Sequence, residues 1–371
     1  MKKRILAAFL AAAMMVSLCA CGNGGGDSQG SGDKTPATPP SITSLAAFDD
    51  LDTILKDEEY EVTEEDVIDY FVSMLCAQGA GLIEIKDRDT VQKGDIVQVD
   101  YVGYLNDKAF DNGAADNQIV DVSKNCLFGE YTGEYGTTFI EKFTDGLIGA
   151  KKKETVKHNV TFPEKYSNKD LAGKETTFEF HVDRIYIKAT PDNVTDDYVK
   201  KYMEKQGFTT VEGLLQDCRE QLVAKAVLNY VISESKVEVS EAYLNERLET
   251  YEEGLVEASG AASIEEVVSN YYGSTLSAVR PYWLSYIKSR VITEVVFSEM
   301  VKSKNLTVDE TKLQEYVDDV LAVNSSFKDA DEIYFEFGYG DLEKGKECLG
   351  NQITISDYII EKYNASQAVT E

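Results

Sequence analysis

Two stretches of the chain alternate apolar and polar positions with a period of two, the signature of half-buried strands. Val97, Val99 and Tyr101 share one parity in the first; Phe178, Phe180 and Val182 share one in the second. They bracket the segment from Gly94 to Ile187 and read as the edges of a single sheet. Between them, Phe139 to Gly149 reads as a short helix. Phe139, Ile140, Phe143, Leu147 and Ile148 fall at helical spacing, and Gly146 and Gly149 stand near its end. A small antiparallel sheet wrapped on one short helix buries both sets of side chains.

Outside that segment the apolar period is close to 3.6. Phe48 to Leu82 reads as helix, with Thr63 in cap position ahead of Asp66 and a stripe of Val67, Ile68, Phe71, Val72 and Leu75. Beyond Lys188 the helical period persists to the end. Thr209 with Glu212, Ser263 with Glu266 and Thr307 with Glu310 have capping-box spacing. Leu215, Cys218 and Leu222 are placed on one face. Tyr282 to Val301 is read as a long helix with Pro281 in its first turn. Leu313, Tyr316, Val317, Val320 and Leu321 line another helix, and Ile353 to Asn364 forms the last. The fold class is α+β, an antiparallel sheet on a short helix joined to an all-α region.

The first twenty residues read as a targeting segment. Lys2, Lys3 and Arg4 precede an apolar run, Ile5 to Val16, long enough for a signal peptide and too short for a stable membrane span. Leu18-Cys19-Ala20-Cys21-Gly22 resembles the lipobox of bacterial lipoproteins, with Cys21 as the residue that receives the lipid; ordinary secretory cleavage nearby is the alternative. Residues 21–45, rich in Gly, Ser, Asp, Thr and Pro, read as a disordered tether. The expected location is extracytoplasmic, on the outer face of the bacterial cytoplasmic membrane.

Charge narrows the partners. The chain carries a formal −29, and removal of Met1 to Ala20, which takes away three cations and no carboxylate, brings it to −32. Such a surface repels nucleic acid phosphates and offers no polybasic membrane patch.

Three pieces of the central segment carry a family resemblance: VDYVGYLNDKAFD, FIEKFTDGLIGAK and NVTFPEKYSNKDLAGKETTFEF, in that order. Together they resemble an FKBP-type peptidyl-prolyl isomerase domain, in the version carried by trigger factor. The likeness extends upstream through Ile85-Lys86-Asp87-Arg88 and downstream into the helical region, over most of Phe48 to Ser366. It implies a lead-in helical segment over 46–92, an isomerase domain over 93–188 and a helical chaperone domain over 189–371. The ribosome-docking domain of trigger factor, with its Gly-Phe-Arg signature, has no counterpart here, so no ribosome partner is expected. The implied partners are unfolded exported polypeptides with X-Pro bonds, and the membrane through lipid on Cys21.

Carried over by position, the resemblance implies a proline site built from Tyr101, Phe110, Asp111, Phe139, Ile140, Phe143, Tyr166, Leu171 and Phe180, with Phe143 as its floor. Each aromatic taken alone reads more readily as core packing, a preference that their joint match to the pocket pattern reverses, and a solvated turn residue is the alternative reading of Asp111. Departures from the family stand at Gln118, where a rim aromatic is usual, at Glu141-Lys142, where Pro-Gly is usual, and in the long aromatic loop between Lys124 and Thr137.

Isomerisation requires no nucleophile, metal or cofactor. The X-Pro bond needs to be held twisted, in a state that has lost amide resonance and is favoured by an apolar, water-poor cradle. The two histidines fit no metal site: His158 shares parity with Val156, Val160 and Phe162, and His181 is placed facing water. Cys76, Cys126, Cys218 and Cys348 are widely spaced, with Cys76 and Cys218 in helical stripes as small buried hydrophobes. The expected activity is a lipid-anchored folding factor that isomerises X-Pro bonds and holds unfolded chains. The alternative is a holdase or assembly scaffold with an idle site, and a solute-binding lipoprotein is disfavoured because paired α/β lobes are lacking.

Overall fold

The computed structural model describes residues 37–323 and 327–368. The signal segment, Cys21 and most of the tether lie outside the described residues. The chain divides into two compact units, one formed by residues 63–218 and the other by the stretch up to Val62 together with Arg219 onward. In chain order the elements are β1 (Ser41–Ser44), α1 (Leu51–Ile54), α2 (Glu64–Cys76), β2 (Leu82–Glu84), β3 (Ile96–Leu105), β4 (Lys108–Asp121), β5 (Cys126–Phe128), β6 (Tyr135–Thr138), a 3-10 helix (Thr144–Leu147), β7 (Thr155–Thr161) and β8 (Glu175–Lys188). There follow α3 (Asp196–Met203), α4 (Val211–Glu234), β9 (Lys236–Glu238), α5 (Glu241–Ser259), α6 (Ile264–Val267), α7 (Leu276–Ser303), α8 (Glu310–Val323), α9 (Ala330–Gly338) and α10 (Leu342–Gln367).

The first unit is a seven-stranded antiparallel sheet in the order β2-β8-β3-β4-β5-β6, with β7 also paired to β8. The two alternating stretches are neighbours at the centre of this sheet, Tyr101 opposite Phe180 and Val99 opposite Val182, and not its edges. Sequence distance misleads here because the last strand returns beside the first. Their shared parity does what alternation dictates: Val97, Val99, Phe178, Phe180 and Val182 are buried on one face with Phe143 and Leu147. Ile96 and Tyr186 turn to the opposite face, against Val72 and Cys76 of α2.

Two expected helices differ. Phe48 to Leu82 is not one helix but two, because Asp50 caps α1 and Thr63 caps α2 afresh in a full capping box with Asp66. Residues 46–62 pack with the helical unit and α2 with the sheet. Phe139 to Gly149 shrinks to the 3-10 helix Thr144–Leu147, because Lys142 takes a left-handed φ of 65° that no α-helix admits. The aromatic loop after Lys124 is also not irregular: β5 and β6 form a hairpin against α2, with the Tyr135 hydroxyl donating to Asp69 at 3.2 Å.

In the second unit, α1 and Phe48 pack with Val227 and Val231 of α4, Val296, Phe297 and Met300 of α7, and Ile355, Ile359 and Ile360 of α10. Leu313, Tyr316, Val317 and Val320 pack as their spacing predicts, against α9 and α10, with Leu321 at the margin. β1 pairs antiparallel with β9, Ile42 opposite Val237. Capping differs in detail. Thr210 caps α4, accepting from the Gly213 amide at 3.1 Å, where Thr209 is expected. Asp309 caps α8, accepting from Thr311 at 2.9 Å, where Thr307 is expected. Ser263 is the cap it was read as. Helix α7 begins at Leu276, so Pro281 lies within it, past the first turn. Leu214, Asp217 and Cys218 are buried in early α4, Leu215 and Leu222 only half-buried. Among the described residues, no helix is long and apolar enough to cross a membrane.

Candidate functional site

The core-facing side of the sheet in the first unit carries an aromatic constellation. Tyr101 on β3 stands 5.2 Å from Phe143, 6.1 Å from Phe139, 6.2 Å from Phe178 and 6.1 Å from Phe180. Phe143 is itself 4.8 Å from Phe178 and 5.0 Å from Phe180, and most of these pairs meet edge to face, the arrangement favoured by ring quadrupoles. Burial raises the Tyr101 phenol above its ordinary pKa, so it stays a neutral hydrogen-bonding group at physiological pH.

Backbone geometry brings the second wall in. Gly103 lies directly under two rings: a Cβ there would come within 2.5 Å of Phe110 and 2.7 Å of Phe178. A side chain of any size at that position would push both away. With the glycine, Phe110 reaches 5.8 Å from Phe178 and 6.0 Å from Phe162. Phe162 in turn carries Tyr166 at 4.6 Å, and Leu171 is buried in the same core.

The remaining wall is the turn leading into the 3-10 helix. Asn125 ties it together: its side-chain amide donates to the carbonyls of Phe139 at 3.1 Å and Ile140 at 3.0 Å, and its oxygen accepts from the Thr144 amide at 3.1 Å. The Lys142 carbonyl bonds His158 Nε2 at 3.0 Å, so this histidine serves as a half-buried strut at the site's edge. His181, placed facing water from sequence, is half-buried beside Thr155 at 3.3 Å. The Ile140 amide, which no acceptor takes among the described residues, is a donor available to a peptide carbonyl at this rim.

Eight of the nine expected residues therefore share one region. Tyr101, Phe110, Phe139 and Ile140 are partly buried around it, and Phe143 and Leu171 lie beneath. Tyr166 is 37% exposed at its margin, and Phe180, wholly buried, backs the site instead of facing it. Asp111 is exposed on β4, and no hydrogen bond among the described residues reaches its carboxylate. Gln118 is half-buried and folds back onto the Asp116 carbonyl at 2.8 Å. Phe162, Phe178, Gly103 and Asn125 were not among the expected residues. Phe178 carried the signal, sharing the parity of Phe180.

All four cysteines among the described residues are buried free thiols. Burial pushes Cys76 up to about 12, so it is inert at neutral pH.

Comparison with known proteins agrees with this geometry. Residues 87–184 match the family of FKBP-type peptidyl-prolyl cis-trans isomerases. Over 311 residues the chain is 26% identical to the trigger factor of Clostridium botulinum strain Hall, covering 80% of this chain and 65% of that one. It is 27% identical over 322 residues to the trigger factor of Clostridium tetani, covering 83% and 68%, and 25% identical over 321 residues to that of Halothermothrix orenii, covering 83% and 70%. A solved structure described as promiscuous substrate recognition by the trigger factor chaperone covers 85% of this chain and 79% of its own, at 16% identity and a TM-score of 0.26. The chain is similar to trigger factors over most of its length, matches the FKBP-type family over residues 87–184, and spans about two thirds of the length of the relatives it matches.

Proposed function

We propose that the first unit is a peptidyl-prolyl cis/trans isomerase and that the whole chain is a folding factor for exported polypeptides. One observation carries the catalytic reading: the rings of Tyr101, Phe143, Phe178 and Phe180 converge with centroids 4.8 to 6.2 Å apart, and Phe139 joins them 4.4 Å from Phe143. Rotation about X-Pro faces a barrier of about 18 to 20 kcal/mol because the planar imide is resonance-stabilised. In the twisted state that resonance and its charge separation are lost. An apolar floor holding the prolyl ring, with water excluded, therefore favours the twisted form over the planar one. In this reading the Ile140 amide fixes the peptide carbonyl while the ring turns, which supplies orientation without covalent chemistry.

The second unit is read as the part that holds unfolded segments. Tyr271, Tyr272, Tyr282 and Tyr286, between 49% and 70% exposed, all fall within the stretch from the end of α6 to early α7. Amphipathic rings in water are suited to weak, adaptable contact with many sequences. The basic, apolar start of the chain and Cys21 support a lipid anchor, which would place the protein on the outer face of the membrane among newly exported chains. A holdase with an idle isomerase unit is the second reading, favoured by Gln118 at the rim and by the ring of Phe139 lying over Phe143.

The protein from Gly22 onward should accelerate cis to trans conversion of a proline tetrapeptide, and Phe143→Ala should remove that acceleration. A rate no higher than the uncatalysed one would leave the holdase. Palmitate labelling of the full chain in a bacterial host, lost in Cys21→Ser, tests the anchor.

A further inference from the structure

Phe143 is only 3% exposed although the proposed reaction needs its face for a prolyl ring. Three of its ring neighbours, Tyr101, Phe178 and Phe180, meet it at 83°, 76° and 79°. Phe139 alone among them lies parallel, at 20° and 4.4 Å between centroids. That is the position and orientation a flat apolar guest would take on an aromatic floor.

Phe139 is also tied down in an uneven way. Its backbone is fixed, with the amide donating to the Asn125 carbonyl at 2.9 Å and its own carbonyl accepting from the Asn125 side chain at 3.1 Å. Its side chain is half-buried and rests on the rings of Tyr101 and Phe143. Rotation about its side-chain torsions would uncover Phe143 without moving the turn.

We infer that Phe139 is an internal competitor for the proline site and lowers its affinity for prolyl peptides. This rests on the isomerase reading of the same site. A prolyl ring and the Phe139 ring cannot both lie against the same face of Phe143, because each needs contact at about 3.5 to 4 Å. The binding-competent form is the one with Phe139 swung out, and apparent affinity is lowered by the fraction of time that form is absent. A plain gripping wall at this position would have the opposite sign: trimming it would weaken binding.

The opposed signs make the test decisive. Phe139→Ala, Phe139→Leu and Phe139→Trp in the protein from Gly22 onward are compared with the parent on a proline tetrapeptide. Trimming should lower KM about three- to tenfold, tenfold corresponding to 1.4 kcal/mol, while Phe139→Trp should raise KM. An unchanged or raised KM in both trimmed variants overturns the inference. Binding of the same peptide, fluorescein-labelled and followed by anisotropy, is read in parallel and needs no turnover: tighter binding in the trimmed variants supports the inference, equal or weaker binding overturns it. Failure of the isomerase reading looks different, as no variant and no parent would exceed the uncatalysed rate. Circular dichroism checks folding, and Phe139→Leu decides if Phe139→Ala does not fold.

Discussion

The side-chain amide of Asn125 donates to the carbonyl of Phe139, fourteen residues on, at 3.1 Å. Asn125 holds this turn in the conformation that presents Phe139, Ile140 and Phe143 together, replacing the i to i−4 bonds a helix would have used. Asn125→Ala leaves two carbonyls and the Thr144 amide short of their partner. We expect a loss of roughly 1 to 3 kcal/mol in urea unfolding and a fall of more than tenfold in peptide kcat/KM. Unchanged activity would mean that the turn is held by other contacts.

Gly103→Ala tests how the second wall is built. The added methyl meets Phe110 at 2.5 Å and Phe178 at 2.7 Å, and both rings have to shift. Overpacking of this kind costs about 1 to 3 kcal/mol. Near-ultraviolet circular dichroism should lose aromatic signal, and isomerase activity should drop with it.

In the helical unit, Arg247 grips Glu294 in a two-pronged ion pair at 2.8 and 2.9 Å, and also donates to the Gly338 carbonyl. Both side chains are nearly buried, at 5% and 10% exposure. Burial raises the Glu294 carboxyl, with Arg247 pulling the other way. Glu294→Ala strands a buried guanidinium and should cost about 3 to 5 kcal/mol, whereas the double replacement Arg247→Met with Glu294→Leu should cost far less. Denaturant midpoints of the three proteins decide this.

The buried thiols predict an alkaline limit. Desolvation lifts Cys76 and Cys348 to about 12, so in the folded chain both stay neutral well beyond the range where the unfolded thiols, near 9, ionise. Their contribution to stability is complete below about pH 9 and is lost as pH rises toward 12. At pH 8 a thiol reagent should modify the native protein beginning at Gly22 slowly and the urea-unfolded protein at once. Rapid labelling of the native form would contradict the burial described.

The aromatic strands were legible because alternation reports burial directly, and Tyr101, Phe143, Phe178 and Phe180 meet as that parity requires. The stripe of Leu313, Tyr316, Val317 and Val320 and the Thr63 cap were legible for the same local reasons. The turn at Phe139 was not. Phe139, Ile140 and Phe143 have helical spacing, but a lysine carries no signal that it will adopt a φ of 65°, and nothing near Asn125 says that its amide will be spent on residues 139, 140 and 144. Caps at Thr210 and Asp309 were displaced by one or two positions because several neighbouring residues can cap, and backbone placement selects among them. The order of strands was hidden because pairing between β3 and β8 is a long-range contact.

The helical unit is assembled from two stretches of chain separated by the whole of the sheet unit. Phe48, Leu51 and Ile54 find their neighbours in Phe297 and Ile359, and strand β1 finds its partner in Lys236–Glu238. A chain made from its N-terminus therefore completes residues 63–218 first, from contiguous sequence, while Phe48, Leu51 and Ile54 wait for the last helix before their core can close. Residues 63–218 are finished ahead of the stretches that flank them in sequence, and a chain halted before Ile355 would carry a folded sheet unit together with a helical unit whose core is still open.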